Sequence, residues 1–108
     1  MTAHEVLHKM TEAFDADAAG DTEAVIQYQL SEPVYHVVRD GTLRVHDGQA
    51  DDPDLTVKIS DDNLVKLFRG DLNPMTAFMT GKIRVSGDMT LAQRLVAFVD
   101  RERLASLA

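Results

Sequence analysis

The chain has 108 residues, 44% of them hydrophobic and 27% charged, a composition that predicts one folded domain over residues 1–108. Its formal net charge of −7 argues against nucleic acid as a partner, because phosphate binding needs a basic face. The same charge disfavours adsorption to anionic bilayers, so we expect transient membrane contact at most.

The first predicted elements are a helix and a three-stranded meander. Thr2 and Glu5 have the spacing of a capping box, and apolar residues at helical intervals predict a helix over about residues 3–14. Residues 15–21 are polar and predict a connection. Apolar and polar residues then alternate in three segments joined by short turns, which predicts an antiparallel meander. These strands cover residues 24–30, 34–38 and 42–46.

The second half predicts two strands and three helices. Ser60 is a good N-cap for a helix that ends at Gly70, and Asn73 followed by Pro74 opens a short helix that Gly81 ends. A fourth strand precedes these helices, and a fifth strand and a final helix follow them. The three elements cover residues 54–60, 82–86 and about 89–103.

The order of these elements predicts an α+β fold. We expect a five-stranded mixed, mostly antiparallel sheet that is covered on one face by about four helices and encloses an apolar cavity. Two helices separate the fourth strand from the fifth, a crossover long enough for parallel pairing of these two strands.

The pattern of residues identifies no catalytic or metal-binding group. His4 and His8 lie four residues apart on the first helix, but no third ligand is placed by the sequence, so we predict a solvated helix face and no metal site. His36 alternates with valines, which is more typical of a packed core histidine than of a general base. We therefore predict no catalytic residue, no cofactor and no enzyme.

The apolar side chains of the second half are the most unusual feature of the sequence. The final helix carries an apolar arc of roughly 160°, and the short helix before the fifth strand adds flexible methionines. Three interpretations stay open at this point: a plain core, a ligand cavity or a dimer interface.

Residues 54–95 contain a series of short motifs: Asp54 to Ser60, "GDLNP", "GKI", "GDM" and "AQRL". Together with the upstream "VVRDG", these motifs resemble the sterol carrier protein type 2 family. The resemblance implies a five-stranded mixed sheet with a tunnel for acyl chains, sterols or other lipids, and it implies binding and transfer without catalytic residues.

The resemblance also implies which residues face the ligand. Carried over by position, and joined by Met89 and Phe98 of the apolar inventory, the predicted lipid-binding residues are Leu64, Leu67, Phe68, Met75, Phe78, Met79, Ile83, Val85, Met89, Leu91, Leu95 and Phe98. The acidic balance makes an anionic head group a poorer ligand unless Lys82, Arg84 or Arg94 lies at the mouth.

The sequence therefore predicts an intracellular lipid carrier. Two alternatives remain: a homodimerising module without ligand, and a small enzyme that uses His36. No stretch approaches the roughly 20 apolar residues of a spanning helix, the first ten residues do not form a secretory signal, and "LASLA" is unlike the S-K-L address. We expect a cytoplasmic protein whose apolar ligand the sequence does not name.

Overall fold

The computed structural model describes residues 2–95 and contains one mixed sheet. Its strands are β1 (Ala24–Gln29), β2 (Val34–Arg39), β3 (Thr42–Asp47), β4 (Leu55–Ile59) and β5 (Ile83–Gly87). They lie side by side in the order β3-β2-β1-β4-β5. The pair β1 and β4 is parallel and the other three pairs are antiparallel. The predicted α+β class and the mixed, mostly antiparallel sheet are confirmed.

Five α-helices lie within the described residues. They are α1 (Ala3–Lys9), α2 (Ala16–Ala19), α3 (Asp61–Arg69), α4 (Pro74–Met79) and α5 (Met89–Leu95). None of them is long and apolar enough to cross a membrane. The remainder of the predicted final helix, beyond residue 95, lies outside the described residues.

Two of the predicted caps begin helices at the expected residues. The Ser60 hydroxyl accepts a hydrogen bond from the Asn63 N–H at 3.1 Å, and the Asn73 side-chain oxygen accepts one from the Met75 N–H at 2.9 Å. Gly70 ends α3 with a φ of 82°, a left-handed conformation that favours glycine. These helix ends are local features, which is why a short stretch of sequence predicts them.

The predicted continuous helix over residues 3–14 is wrong in its second half. After α1 the chain tightens into a 3₁₀ turn at Met10–Ala13, and Phe14 is extended. The Asp15 carboxylate then accepts a hydrogen bond from the Ala18 N–H at 3.1 Å and begins α2. This second N-cap lies inside the segment predicted to be a connection, where an acidic residue suits a helix start as well as a loop.

The predicted parallel pairing of the fourth and fifth strands is also wrong. The last residue of β4, Ile59, pairs with the first residue of β5, Ile83, so the two strands are antiparallel. The two intervening helices carry the chain out and back, and β5 therefore starts at the end where β4 finishes. The parallel pair is instead β1 with β4, in the register Ile26 to Leu55.

The loop between β3 and β4 brings β4 alongside β1 in the parallel direction. This loop crosses the face of the sheet that the helices do not cover. Residues 48–54 lead from the end of β3 to the start of β4 and pass over Gln27 in β1. The Gln27 amide donates to the Gly48 carbonyl at 3.1 Å, and its carbonyl accepts from the Ala50 N–H at 2.7 Å. Gln27 is therefore buried with its polar atoms paired, as a buried amide requires.

The helices cover one face of the sheet, and the core lies there. The strand register places alternate residues of neighbouring strands on this face. Its buried members on the strands are Ala24, Ile26, Tyr28, Val34, His36, Val38, Leu55, Val57 and Ile59. Val6 and Leu7 of α1, together with Leu64 and Phe68 of α3, pack against them.

His36 belongs to this core. It is 1% exposed, its Nε2 donates to the Leu7 carbonyl at 3.1 Å, and its ring packs edge-on against Tyr28. Burial disfavours the charged imidazolium and lowers the pKa of His36 to about 4; the bond to Leu7 opposes this shift, and the charge of nearby His8 adds to it. His36 is therefore neutral at physiological pH and fills a structural position.

The pKa of His36 predicts an acid-sensitive fold. The unfolded chain takes up a proton near pH 6.5 and the folded protein only near pH 4, so this contribution to stability is complete above pH 6.5 and is lost as the pH falls toward 4. The expected loss through this one group is about 3 kcal/mol of unfolding free energy. Urea denaturation at pH 7, 5.5 and 4.5 measures it.

A matched pair of variants isolates the contribution of His36. His36→Gln should flatten the pH dependence between 6.5 and 4, whereas His46→Gln, at an exposed position of β3, should leave it as in the parent chain. An unchanged slope in His36→Gln would show that other groups cause the acid sensitivity.

Candidate functional site

An apolar cleft with a volume of about 500 Å³ lies between the β4–β5 side of the sheet and the helices. Val57 and Ile59 of β4 and Ile83 and Val85 of β5 form its floor. The register pairs Val57 with Val85 and Ile59 with Ile83, so these four side chains stand side by side on the covered face. The alternation that predicts the strands thus also supplies the floor of the cleft.

One wall of the cleft comes from α3. Leu64, Leu67 and Phe68 lie at positions i, i+3 and i+4, which places them on one side of the helix. Leu64 and Phe68 are buried and Leu67 is half-buried. Val6 of α1 and Met10 of the following turn extend the wall.

The mouth of the cleft is formed by short helices with flexible side chains. Met75 and Phe78 of α4 and Met89 of α5 line the cleft and are 67%, 47% and 45% exposed. Ala77, between the first two, is buried and lets α4 lie close to the rest of the protein. Unbranched thioethers at an opening adapt to ligands of different shape.

The described lining of the cleft carries no charged side chain. Its polar residues are Tyr28 and Gln93. Burial raises the pKa of Tyr28, so its hydroxyl is neutral, and this hydroxyl has no hydrogen-bond partner among residues 2–95. Such a surface suits a hydrocarbon ligand and stabilises no ionic group.

The structure gathers most of the predicted site residues around this cleft. Those that line it are Leu64, Leu67, Phe68, Met75, Phe78, Ile83, Val85 and Met89. Residues that line it without having been predicted are Val6, Met10, Tyr28, Val57, Ile59, Pro74, Ala92 and Gln93. The alternation of β1 and β4 is the signal that would have found Tyr28, Val57 and Ile59, since it places them on the same face as Ile83 and Val85.

Met79 is not a lining residue, contrary to the prediction. Its side chain is 78% exposed, and it is absent from the cleft. Its four-residue spacing from Met75 suggested the same helix face, but of these two methionines only Met75 lines the described cleft.

Of the remaining three predicted residues, Leu91 does not line the described cleft, and the side chains of the other two lie outside the described residues. Leu91 is buried in the core cluster, and Ala92 and Gln93 line the cleft in its place. The N–H of Leu91 is capped by the Asp88 carboxylate at 3.1 Å, which fixes the start of α5 and its rotation. Leu95 is the last residue of α5, and nothing is described of its side chain or of Phe98.

The three cations that would favour an anionic head group if they lay at the mouth do not line the described cleft. Lys82 and Arg84 are exposed, and Arg84 pairs with Lys58 on the uncovered face of the sheet. Arg94 is exposed on α5, next to Gln93. The described cleft therefore provides no counter-ion for an anionic head group.

Fold and cleft together define a small α+β domain in which a mixed sheet and short helices line an apolar site. The family model "SCP-2 sterol transfer family" matches residues 4–100. The chain belongs to this family of lipid-binding and lipid-transfer domains, which confirms the resemblance found in the sequence.

Curated relatives are longer proteins. "Hydroxysteroid dehydrogenase-like protein 2" of Bos taurus is 30% identical in an alignment 96 residues long, which covers 84% of this chain and 23% of that protein. "Sterol carrier protein 2" of Bos taurus is 43% identical over 42 residues, 39% of this chain and 8% of that protein. The chain thus spans about a quarter or less of the length of these two relatives.

Solved structures share the fold. A double mutant of the sec-alkyl sulfatase PisA1, an enzyme from Pseudomonas sp., superposes with a TM-score of 0.83 at 19% identity, over 93% of this chain and 16% of that one. Palmitated SCP2L2 from Aedes aegypti superposes with a TM-score of 0.72 at 24% identity, over 96% of this chain and 95% of that one. At these identities the likeness concerns the fold alone.

Proposed function

We propose that this chain is a lipid carrier that holds the hydrocarbon part of its ligand in the cleft between β4, β5 and the helices. The observation that carries the proposal is an uncharged cleft of about 500 Å³, a volume within the range of small-molecule sites. The lining residues named above then become the ligand-binding residues, with Met75, Phe78 and Met89 at the entrance.

The energetics of burial favour a long acyl chain or a comparable apolar ligand. Each methylene transferred from water contributes about 0.8 kcal/mol, so about fourteen methylenes contribute roughly 11 kcal/mol. Association costs of at least about 4 kcal/mol leave a dissociation constant in the micromolar range. The head group finds no charged partner on the described lining, so we propose that it stays at the mouth in contact with water.

The proposed role is binding and transfer without chemistry. Domains of this family are generally non-enzymatic, although matching stretches occur within enzymes such as the sulfatase. His36, the candidate base of the enzyme alternative, is buried and does not line the cleft. The cytoplasmic location expected from the sequence stays a prediction.

Uptake of an acyl chain tests the proposal directly. Native mass spectrometry of the delipidated full chain with palmitic acid should show one bound molecule per protein, and titration of a fluorescent acyl probe should give a micromolar dissociation constant. If acyl chains, sterols and prenylated quinones all fail to bind, the carrier proposal is wrong.

The homodimer alternative is favoured by one observation, the exposed apolar side chains of α4 and α5. Met75, Phe78, Met79 and Met89 are 45% to 78% exposed, and a contiguous patch of exposed apolar side chains would mark an interaction surface. Sedimentation velocity of the delipidated sample separates the two candidates. A firm dimer that takes up no lipid supports the homodimer, and a monomer that takes up lipid supports the carrier.

A further inference from the structure

Two histidines of α1 and the last residue of β3 converge at the edge of the covered face. His4 Nε2 lies 2.8 Å from one carboxylate oxygen of Asp47, and His8 Nε2 lies 3.2 Å from the same oxygen. The histidines share a face of α1 because they are four residues apart. Asp47 follows Leu43 and Val45 in the alternation of β3 and pairs with Val34, so the strand register places it on the helix-covered face.

The spacing of these donor atoms is that of ligands around one metal ion. Two donors that each lie about 2.0–2.1 Å from zinc, at angles between tetrahedral and octahedral, are roughly 2.9–3.4 Å apart. The distances from the Asp47 oxygen to His4 Nε2 (2.8 Å) and to His8 Nε2 (3.2 Å) lie at or near this range. One donor atom from each of the three residues lies within 4.8 Å of the others, so the widest pair has to close by about 1.4 Å at most to reach 3.4 Å.

The donor set determines the class of ion. Two imidazoles and one carboxylate suit Zn²⁺ and the neighbouring divalent transition metals, whereas Ca²⁺ and Mg²⁺ prefer oxygen ligands alone. The side chains of His4, His8 and Asp47 are 34%, 40% and 66% exposed, so an ion reaches them from solvent and water completes its coordination.

We propose that His4, His8 and Asp47 form a surface binding site for one divalent transition-metal ion, with Zn²⁺ as the reference ion. The site is separate from the cleft and does not depend on the proposed lipid function. A bound ion joins α1 to the end of β3, and α1 also supplies Val6 to the wall of the cleft. Ion binding therefore stabilises the folded protein and fixes α1 on the sheet.

Calorimetric titration of the metal-free full chain with ZnCl₂ tests the proposal. The sample must carry no polyhistidine tag, because a tag would supply competing imidazoles. We expect one site with a dissociation constant on the order of 1–10 μM. At a hundredfold excess of free Zn²⁺ over this constant, the melting temperature should rise by at least about 5 °C.

Variants of the three ligands distinguish a metal site from a plain hydrogen-bonded cluster. His4→Ala, His8→Ala and Asp47→Asn should each weaken binding at least tenfold, and a thermal melt without metal shows which of them are folded. Asp47→Asn is the most conservative of the three, because it keeps the shape of an exposed side chain. His46→Ala is the matched control: this exposed neighbour stacks on Tyr35 at 5.1 Å, outside the cluster, and its loss should change the dissociation constant less than twofold.

Two results would overturn the site. One is the failure of Zn²⁺, Co²⁺ and Ni²⁺ to bind the parent chain more tightly than about 100 μM, which would leave only hydrogen bonds between Asp47 and the imidazoles. The other is Zn²⁺ binding that a folded Asp47→Asn variant retains in full, or that His46→Ala abolishes, which would place the ion elsewhere.

Discussion

Acyl-chain binding should weaken at least tenfold when Val85 is replaced by tryptophan, while the protein stays folded. Val85 lies on the floor of the cleft opposite α4 and is half-buried, so a larger side chain there extends into the space that a ligand needs. In a filled core the same change costs typically 1–3 kcal/mol through overpacking. In an open cleft we expect a loss of less than about 1 kcal/mol. Titration of a fluorescent acyl probe and urea denaturation measure the two effects.

Met79→Trp is the matched control for this experiment. It introduces the same side chain at a position that is 78% exposed and outside the cleft, so affinity and stability should both stay close to those of the parent chain. Retained affinity in Val85→Trp together with a clear loss of stability would mean that this floor is packed core. A loss of binding in both variants would place the ligand on the outer surface of α4.

The largest effect on stability is expected for Gly87→Ala, which should cost at least about 3 kcal/mol. Gly87 has a φ of 110°, and an added Cβ would lie 2.4 Å from the backbone carbonyl oxygen of Asp54. That carbonyl accepts the Asp88 N–H at 2.9 Å, while the Asp54 carboxylate accepts the Val25 N–H at 2.8 Å. Asp54 thus links three strands, and it has little freedom to move away.

A second glycine separates the clash from backbone strain. Gly81 also has a positive φ, of 78°, but an added Cβ would meet no atom within 4 Å. Gly81→Ala should therefore cost only about 1–2 kcal/mol. Thermal unfolding of both variants measures the difference, and equal losses would show that the close approach to Asp54 relaxes at little cost.

Local features of this fold were predictable from the sequence. The N-caps Ser60 and Asn73 depend on side chains two or three residues away from the groups that they cap, so a short window contains all the information. The same holds for the period-2 strands, whose alternation already indicates which side chains share a face.

Features that depend on distant segments were not predictable. The parallel pairing of β1 with β4 depends on where residues 48–54 cross the sheet, and the third member of the histidine cluster, Asp47, lies 39 residues from His8. Neither fact leaves a periodic pattern in the sequence. The rotation of short helices is equally hard to predict: α4 has six residues, and its buried position is the small Ala77 rather than a methionine.

The position of β5 in the sheet has a consequence for how local stability is distributed. β1 lies at the centre and pairs with strands on both sides, whereas β5, among residues 2–95, pairs with β4 alone at the edge of the sheet. Its inward side chains face the cleft rather than close-packed neighbours, so fewer contacts oppose a transient opening there than at β1. We therefore expect the amide hydrogens of β5 to exchange with solvent through local fluctuations, and those of β1 through openings closer to global unfolding. We therefore expect a ligand that enters the proposed site between β5 and the helices to need less opening of the sheet than entry beside the central strand β1 would need.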